Sequence, residues 1–179
     1  RAGGVAASGE GASREIASLS SQLRLEPLTA DAFAPFGTLL DLPAGPPGRF
    51  DHRAVLEDGR GGIGSNIALV RAPAAALPAR IEQLERHPHS SQLFAPLGMA
   101  GRFLVVAAPD AAGAPDLARM RAFLCDGARG VVYAPGVWHH PLLSLVPCRF
   151  LMLIHEAGTA DDTHWYELAT PVPLAADIT

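Results

Sequence analysis

The sequence predicts an all-β chain rolled into a small barrel or sandwich with a mouth for a ligand. Downstream of Ile63 the hydrophobic segments are short and rich in strand formers, and Pro, Gly or Asp punctuates nearly every gap between them. Almost no stretch carries a helical period, and a barrel closes the strand edges that so many short strands would otherwise expose. At 179 residues the chain is long enough to bury one full core. Charged residues make up 18% and apolar ones 49%, sparse charge that points to a buried oligomer face. A net charge of −4, from 14 basic and 18 acidic residues with no run of either sign, argues against a nucleic-acid partner. Every apolar run is interrupted well short of a membrane span.

In chain order, Arg1 to Ser21 is rich in Ala, Gly and Ser, lacks hydrophobic periodicity and begins without Met. This segment is expected to be a flexible arm outside the fold, with residues 22–179 forming one domain. The expected setting is the cytoplasm, or an organelle lumen such as the mitochondrial matrix if the arm is the remnant of an import sequence. Leu23, Leu25 and Leu28 begin the fold in a strand pattern. Thr29 reads as the N-cap of a short helix through Phe36, stopped by Gly37, and Thr38 to Leu42 resumes a strand. Loops follow at Pro43 to Gly48 and Asp58 to Gly62. Strands are then predicted over Ile67–Arg71, Ile81–His87, Gln92–Pro96, Arg102–Ala108, Met120–Cys125, Val131–Ala134, Leu142–Val146, Arg149–His155 and Trp165–Leu168. Cys125 and Cys148 sit in apolar strand segments without metal-type spacing, as buried reduced thiols do.

Two polar clusters interrupt this pattern. In Gly130 to Pro141, the Pro135-Gly136 turn delivers His139 and His140 to a strand start. Consecutive strand residues face opposite sides, so one imidazole of the pair points into a given cavity and the other away. Such a His either binds a metal or moves a proton, or simply packs at a barrel rim beside Trp138 and Pro141. The second cluster runs from Glu85 to Gln92. Glu85, His87 and His89 are spaced by two, sharing one face of an extended strand, with Gln92 on the next. Their oxygen and nitrogen donors suit Zn, Ni, Mn or Fe, although a Glu-Arg-His run also occurs as a solvated strand edge.

Glu-x-His-x4-Gln (Glu85, His87, Gln92) followed by Pro-Gly-x-x-His (Pro135, Gly136, His139) resembles the two-part metal motif of cupins. More specifically, Leu84-Glu85-Arg86-His87-Pro88, Ser91-Gln92, Phe94, Pro96, Arg121-Ala122-Phe123 and Gly136-Val137-Trp138-His139-His140-Pro141-Leu142 resemble the signature of ureidoglycolate lyases. The likeness covers most of Leu23 to Leu168. It implies a cupin-type double-stranded β-barrel (jelly roll) with one or two short helices. It further implies a homodimer, or a place in a larger assembly, and cleavage of (S)-ureidoglycolate to glyoxylate and urea in allantoin and purine breakdown. A divalent metal (Ni, Zn or Mn) is assigned on this basis to Glu85, His87, Gln92 and His139. His140 or His89 becomes the proton-transfer candidate, Arg71 with Gln92 the substrate-binding pair, and Tyr133 a donor to a substrate oxygen. The chain departs from the family at Val132, where bacterial members tend to have Asn, and at His155-Glu156, where they have an Asp-Arg pair. Gln92 also replaces the carboxylate usual in cupins, and Glu85 replaces a His. A cupin-fold subunit that has lost catalysis and serves in binding or assembly is the alternative that these departures leave open.

Overall fold

The computed structural model describes residues 22–41, 45–53, 55–98 and 101–178, so the Arg1 to Ser21 arm lies outside the described residues. Fourteen strands and one short helix occur among them. The chain begins with β1 (Leu23–Pro27), α1 (Ala30–Phe33) and β2 (Gly37–Leu40). Next come β3 (Ser65–Ala72), β4 (Ala79–Arg86), β5 (Gln92–Pro96), β6 (Phe103–Ala108) and a small hairpin of β7 (Asp110–Ala111) and β8 (Ala114–Pro115). The remaining strands are β9 (Arg121–Cys125), β10 (Gly130–Tyr133), β11 (Trp138–His139), β12 (Leu143–Ser144), β13 (Cys148–His155) and β14 (His164–Ile178).

Two sheets dominate. One has the order β11-β4-β14-β1-β9-β6-β12, and β11 also pairs with β6, so six of its strands close into a ring. The other has the order β2-β10-β5-β13-β3. β6 is buried along its whole length because both its faces are covered. Phe103, Val105 and Ala107 pack between the sheets with Phe94, Tyr133 and Phe150, whereas Leu104, Val106 and Ala108 fill the ring with Leu25, Ile81 and Trp138. A continuous apolar run in the sequence thus marks a strand with no solvent face.

Most predicted strands are observed with ends shifted by a residue or two, and Gln92–Pro96 is observed as predicted. Thr29 does cap α1, its hydroxyl accepting from the Ala32 amide at 3.2 Å, but the helix ends at Phe33 rather than Phe36. Pro35 explains the early stop, since it has no amide to continue the helical ladder, and the Phe36 amide turns instead to the Phe33 carbonyl at 2.8 Å. The last strand continues to Ile178 instead of stopping at Leu168. Its register against β4 slips between Glu167 and Val172, and such an irregularity accommodates Pro171. Gly37 has φ +150°, and a Cβ there would lie 1.9 Å from the Val132 carbonyl oxygen, so only glycine lets β2 approach β10 this closely. Cys125 and Cys148 are both buried and free.

Candidate metal centre

The site lies between the sheets, built from both. In the ring, β11 pairs with β4 so that His139 stands opposite Glu85. In the five-stranded sheet, β10 pairs with β5 so that Tyr133 stands opposite Gln92. The turn before β11 joins the two sequence clusters directly, because the Gly136 amide donates to the His87 carbonyl at 2.9 Å. Gly136 adopts φ +78°, the left-handed conformation such a turn requires. Across the sheets, the Tyr133 ring stacks on His139 with centroids 4.0 Å apart and planes 7° from parallel.

Four donor side chains converge here. Ligand atoms of Glu85, His87 and His139 lie within 4.8 Å of one another. The His139 Nε2 is 2.9 Å from the Gln92 Oε1 and 3.5 Å from a Glu85 carboxylate oxygen. Hydrogen bonds elsewhere on each ring settle which nitrogens face inward. A carbonyl oxygen only accepts, so His139 donates from Nδ1 to Val137 (3.0 Å) and His87 donates from Nδ1 to Asp162 (2.9 Å). In the neutral His87 ring Nε2 therefore presents a lone pair, while the His139 Nε2, faced by oxygens of Gln92 and Glu85, meets them either as a donor or through a shared cation. The His87 Nε2 is buried and has no hydrogen-bond partner. An orphaned buried acceptor costs folding free energy unless something fills its place, and a cation among these nitrogen and oxygen donors does so. Glu85, His87, Gln92 and His139 thus fit a divalent metal on donor chemistry.

Charge states agree with that. Burial would raise the Glu85 carboxyl, but the hydrogen bond and charge of His139, with His87 and His140, hold it below the usual carboxylate range. Burial, followed by the neighbouring His139, pushes His87 down, and burial also pushes His140 down, so both rings are neutral at neutral pH. Tyr133 is raised far above the ordinary phenol value by burial first and Glu85 second, which keeps it a neutral hydroxyl.

The other candidates are distributed unevenly. His140 is half-buried, donates from Nδ1 to the Pro141 carbonyl at 2.7 Å, and lies close enough for the charges of Glu85 and His139 to act on it. His89 does not share a strand face with Glu85 and His87: β4 ends at Arg86, and Pro88 and His89 form a turn, because proline removes the donor that a continuing strand would need. Arg71 does not reach the site. It stands opposite Arg149, five positions along β13 from the Ile154 that faces Gln92, and it lies on the other side of the sheet. At about 3.3 Å per residue that separation is roughly 17 Å. Val132 is buried in β10 facing away from Tyr133, while His155 and Glu156 bond to Ile63 and Asn66. Sequence reasoning missed Arg60 and Asp162, which support His87. The Thr159-x-x-Asp162 spacing of a capping box was a legible signal for the second, whereas nothing local marked Arg60.

Two sheets rolled into a double-stranded β-barrel, with a Glu/His/Gln/His cluster between them, define a protein of the cupin class with a candidate metal centre. The ureidoglycolate lyase family model matches residues 20–175. The chain belongs to that family of lyases, as its paired motifs led one to expect. It is 40% identical over 144 residues to the ureidoglycolate lyase of Burkholderia cepacia, covering 76% of this chain and 80% of that one. It is 37% identical over 155 residues to the ureidoglycolate lyase of Pseudomonas syringae pv. tomato, covering 81% and 90%. Among solved structures, a dTDP sugar isomerase from Desulfovibrio desulfuricans G20 overlaps 76% of this chain and 88% of its own, at 17% identity and a TM-score of 0.49. The oxalate decarboxylase of Lactobacillus farciminis overlaps 63% and 30%, at 15% identity and a TM-score of 0.40. Both likenesses are too loose to add to the topology above. No helix among the described residues is long and apolar enough to cross a membrane.

Proposed function

We propose that this chain cleaves ureidoglycolate to glyoxylate and urea. The observation that carries it is the convergence of Glu85, His87, Gln92 and His139 between the sheets, with the His87 Nε2 buried and unpaired, in a member of the ureidoglycolate lyase family. The chemistry needs a proton removed from the substrate hydroxyl, a carbon–nitrogen bond broken as the carbonyl forms, and a proton delivered to the departing urea nitrogen. No water is consumed. A divalent cation (Ni, Zn or Mn) held by Glu85, His87, Gln92 and His139 supplies Lewis acidity toward substrate oxygens.

The protein's own side chains do the rest. Neutral His140, its Nδ1 proton committed to Pro141, takes the hydroxyl proton at Nε2 and returns it to the urea nitrogen. Tyr133, held as a neutral hydroxyl, donates a hydrogen bond to a substrate oxygen, and its ring fixes the plane of His139. Ionised Glu85 keeps the cluster electrostatically receptive to positive charge. His89 and Arg71 carry no weight in this scheme.

The test is to mix the protein with racemic ureidoglycolate, with and without added divalent metal, and follow glyoxylate, urea and ammonia. Urea appearing with glyoxylate supports the lyase; ammonia in place of urea points to amide hydrolysis. Glyoxylate released no faster than the spontaneous background, with metal supplied, removes the proposal. The bacterial relatives support a cytoplasmic setting and lend none to an organelle. A second copy of the chain is the proposed partner. It is supported by edge strand β3, where Ile67 is 62% and Leu69 76% exposed, and sedimentation of Ile67→Glu/Leu69→Glu as a dimer would count against it.

A further inference from the structure

His87 follows the end of β4 and is outside any strand, so no sheet ladder dictates its ring orientation. What holds it is a chain of contacts from two distant loops. Its Nδ1 donates to the Asp162 carbonyl at 2.9 Å, and the Thr163 hydroxyl sits 3.2 Å from the same nitrogen. The Asp162 carbonyl is placed by a single 3-10 turn, Ala160–Asp162, that would be marginal alone. That turn is pinned by the Asp162 carboxylate, which accepts from the Ala157 amide (2.9 Å), the Thr159 amide (2.7 Å) and Arg60 Nη1 (2.6 Å). Arg60 comes from the loop between β2 and β3, and its Nη2 donates to the His155 carbonyl at 3.0 Å. One guanidinium therefore clamps both ends of the segment joining β13 to β14. The loop is anchored in turn, since the Gly59 amide donates to the His89 carbonyl at 2.7 Å and the Glu57 amide to the Ser91 hydroxyl at 2.7 Å.

We propose that Arg60 and Asp162 are positioning residues for His87: by fixing the turn that presents the Asp162 carbonyl, they keep the His87 proton on Nδ1 and aim the Nε2 lone pair at Glu85, Gln92 and His139. The ligand that benefits is a divalent cation, so the proposal rests on the functional role given to the cluster above. Hydrogen-bond partners of metal-ligating histidines act in this way, and their loss typically costs about 10- to 100-fold in metal affinity. Here the partner is a backbone carbonyl whose position depends on a partly buried ion pair with another loop, an indirect arrangement that local sequence does not reveal.

The experiment has two readouts. Long-range proton–nitrogen correlation spectra of the metal-free protein report the His87 tautomer, and calorimetric titration with Ni2+ alone reports affinity. In the wild-type chain His87 should carry its proton on Nδ1. Arg60→Met should mix or reverse the tautomers and weaken Ni2+ binding about 10- to 100-fold, whereas Arg60→Lys, retaining the charge but not the fork, should recover part of the loss. Arg121→Met removes an arginine paired with Glu26 in another part of the fold, and it should leave Ni2+ affinity and the His87 tautomer unchanged. A wild-type His87 protonated on Nε2, or a folded Arg60→Met chain with wild-type tautomer and affinity within threefold of wild type, overturns the proposal. If Arg60→Met fails to fold, the wild-type tautomer and Arg60→Lys decide. Should the wild-type chain bind no Ni2+ and release no glyoxylate, the cation-dependent function fails, while the tautomer comparison still judges the positioning role.

Discussion

Replacing Glu85 by Gln tests the charge at the centre of the site with almost no change of shape. The carboxylate lies 3.5 Å from the His139 Nε2 and is the only anion among the four converging side chains. Burying the carboxylate offsets much of its attraction for a cation, and interactions of charged groups of this kind contribute a net of about 1.5–3 kcal/mol. At 1.36 kcal/mol per decade, the loss corresponds to about 10- to 150-fold in affinity for a divalent cation, with a comparable fall in glyoxylate release at subsaturating metal. The fold should survive, because Gln keeps the volume and the β4–β11 pairing is made by backbone. Ni2+ calorimetry and the glyoxylate assay, beside a urea melt of the metal-free chain, measure the three quantities separately. A variant that binds Ni2+ within twofold of wild type and turns over at the wild-type rate would refute the assignment of Glu85 to the cation.

Further outcomes can be checked with the same tools. Tyr133→Phe keeps the ring stacked on His139, so stability should change by less than about 1 kcal/mol, while turnover falls by about tenfold if the hydroxyl donates to substrate; an unchanged kcat would free Tyr133 of that role. Folded-state values of His87 and His140 lie below the ordinary value of about 6.5, so below that pH the unfolded chain binds more protons and stability is lost as pH falls through the folded values. Glu85, also lowered, adds to the loss below about pH 4.5. The urea midpoint should therefore fall between pH 7.5 and 5.5, and a flat or rising midpoint would contradict the burial of these rings. Gly37→Ala places a Cβ against the Val132 carbonyl at a backbone angle alanine rarely adopts, and should cost about 2–3 kcal/mol in a urea titration. Phe150→Ala, removing a ring that meets Phe94 and Phe103 edge-on, should cost about 3–5 kcal/mol without altering the ligand set.

Much of this molecule is legible from local chemistry. Short β-branched and aromatic runs separated by Pro and Gly dictate strands, because side-chain packing and turn geometry act over a few residues. The Thr29 cap, the Pro135-Gly136 turn and the unbroken burial of Phe103 to Ala108 belong to the same class. Glu85, His87, Gln92 and His139 could be picked out because their donor types recur at motif spacing. Other features depend on long-range register, which no window of sequence contains. His89 fits the two-residue spacing of Glu85 and His87, yet the chain turns at Pro88. Arg71 sits near the right strands, yet pleat and register put it on the far face. That His139 stands opposite Glu85 was settled by the pairing of β11 with β4, and the clamp of Arg60 on Asp162 joins residues 102 positions apart. Local preferences choose the elements, but closure of the sheets chooses which side chains meet, since a one-residue change of register carries every side chain to the opposite face.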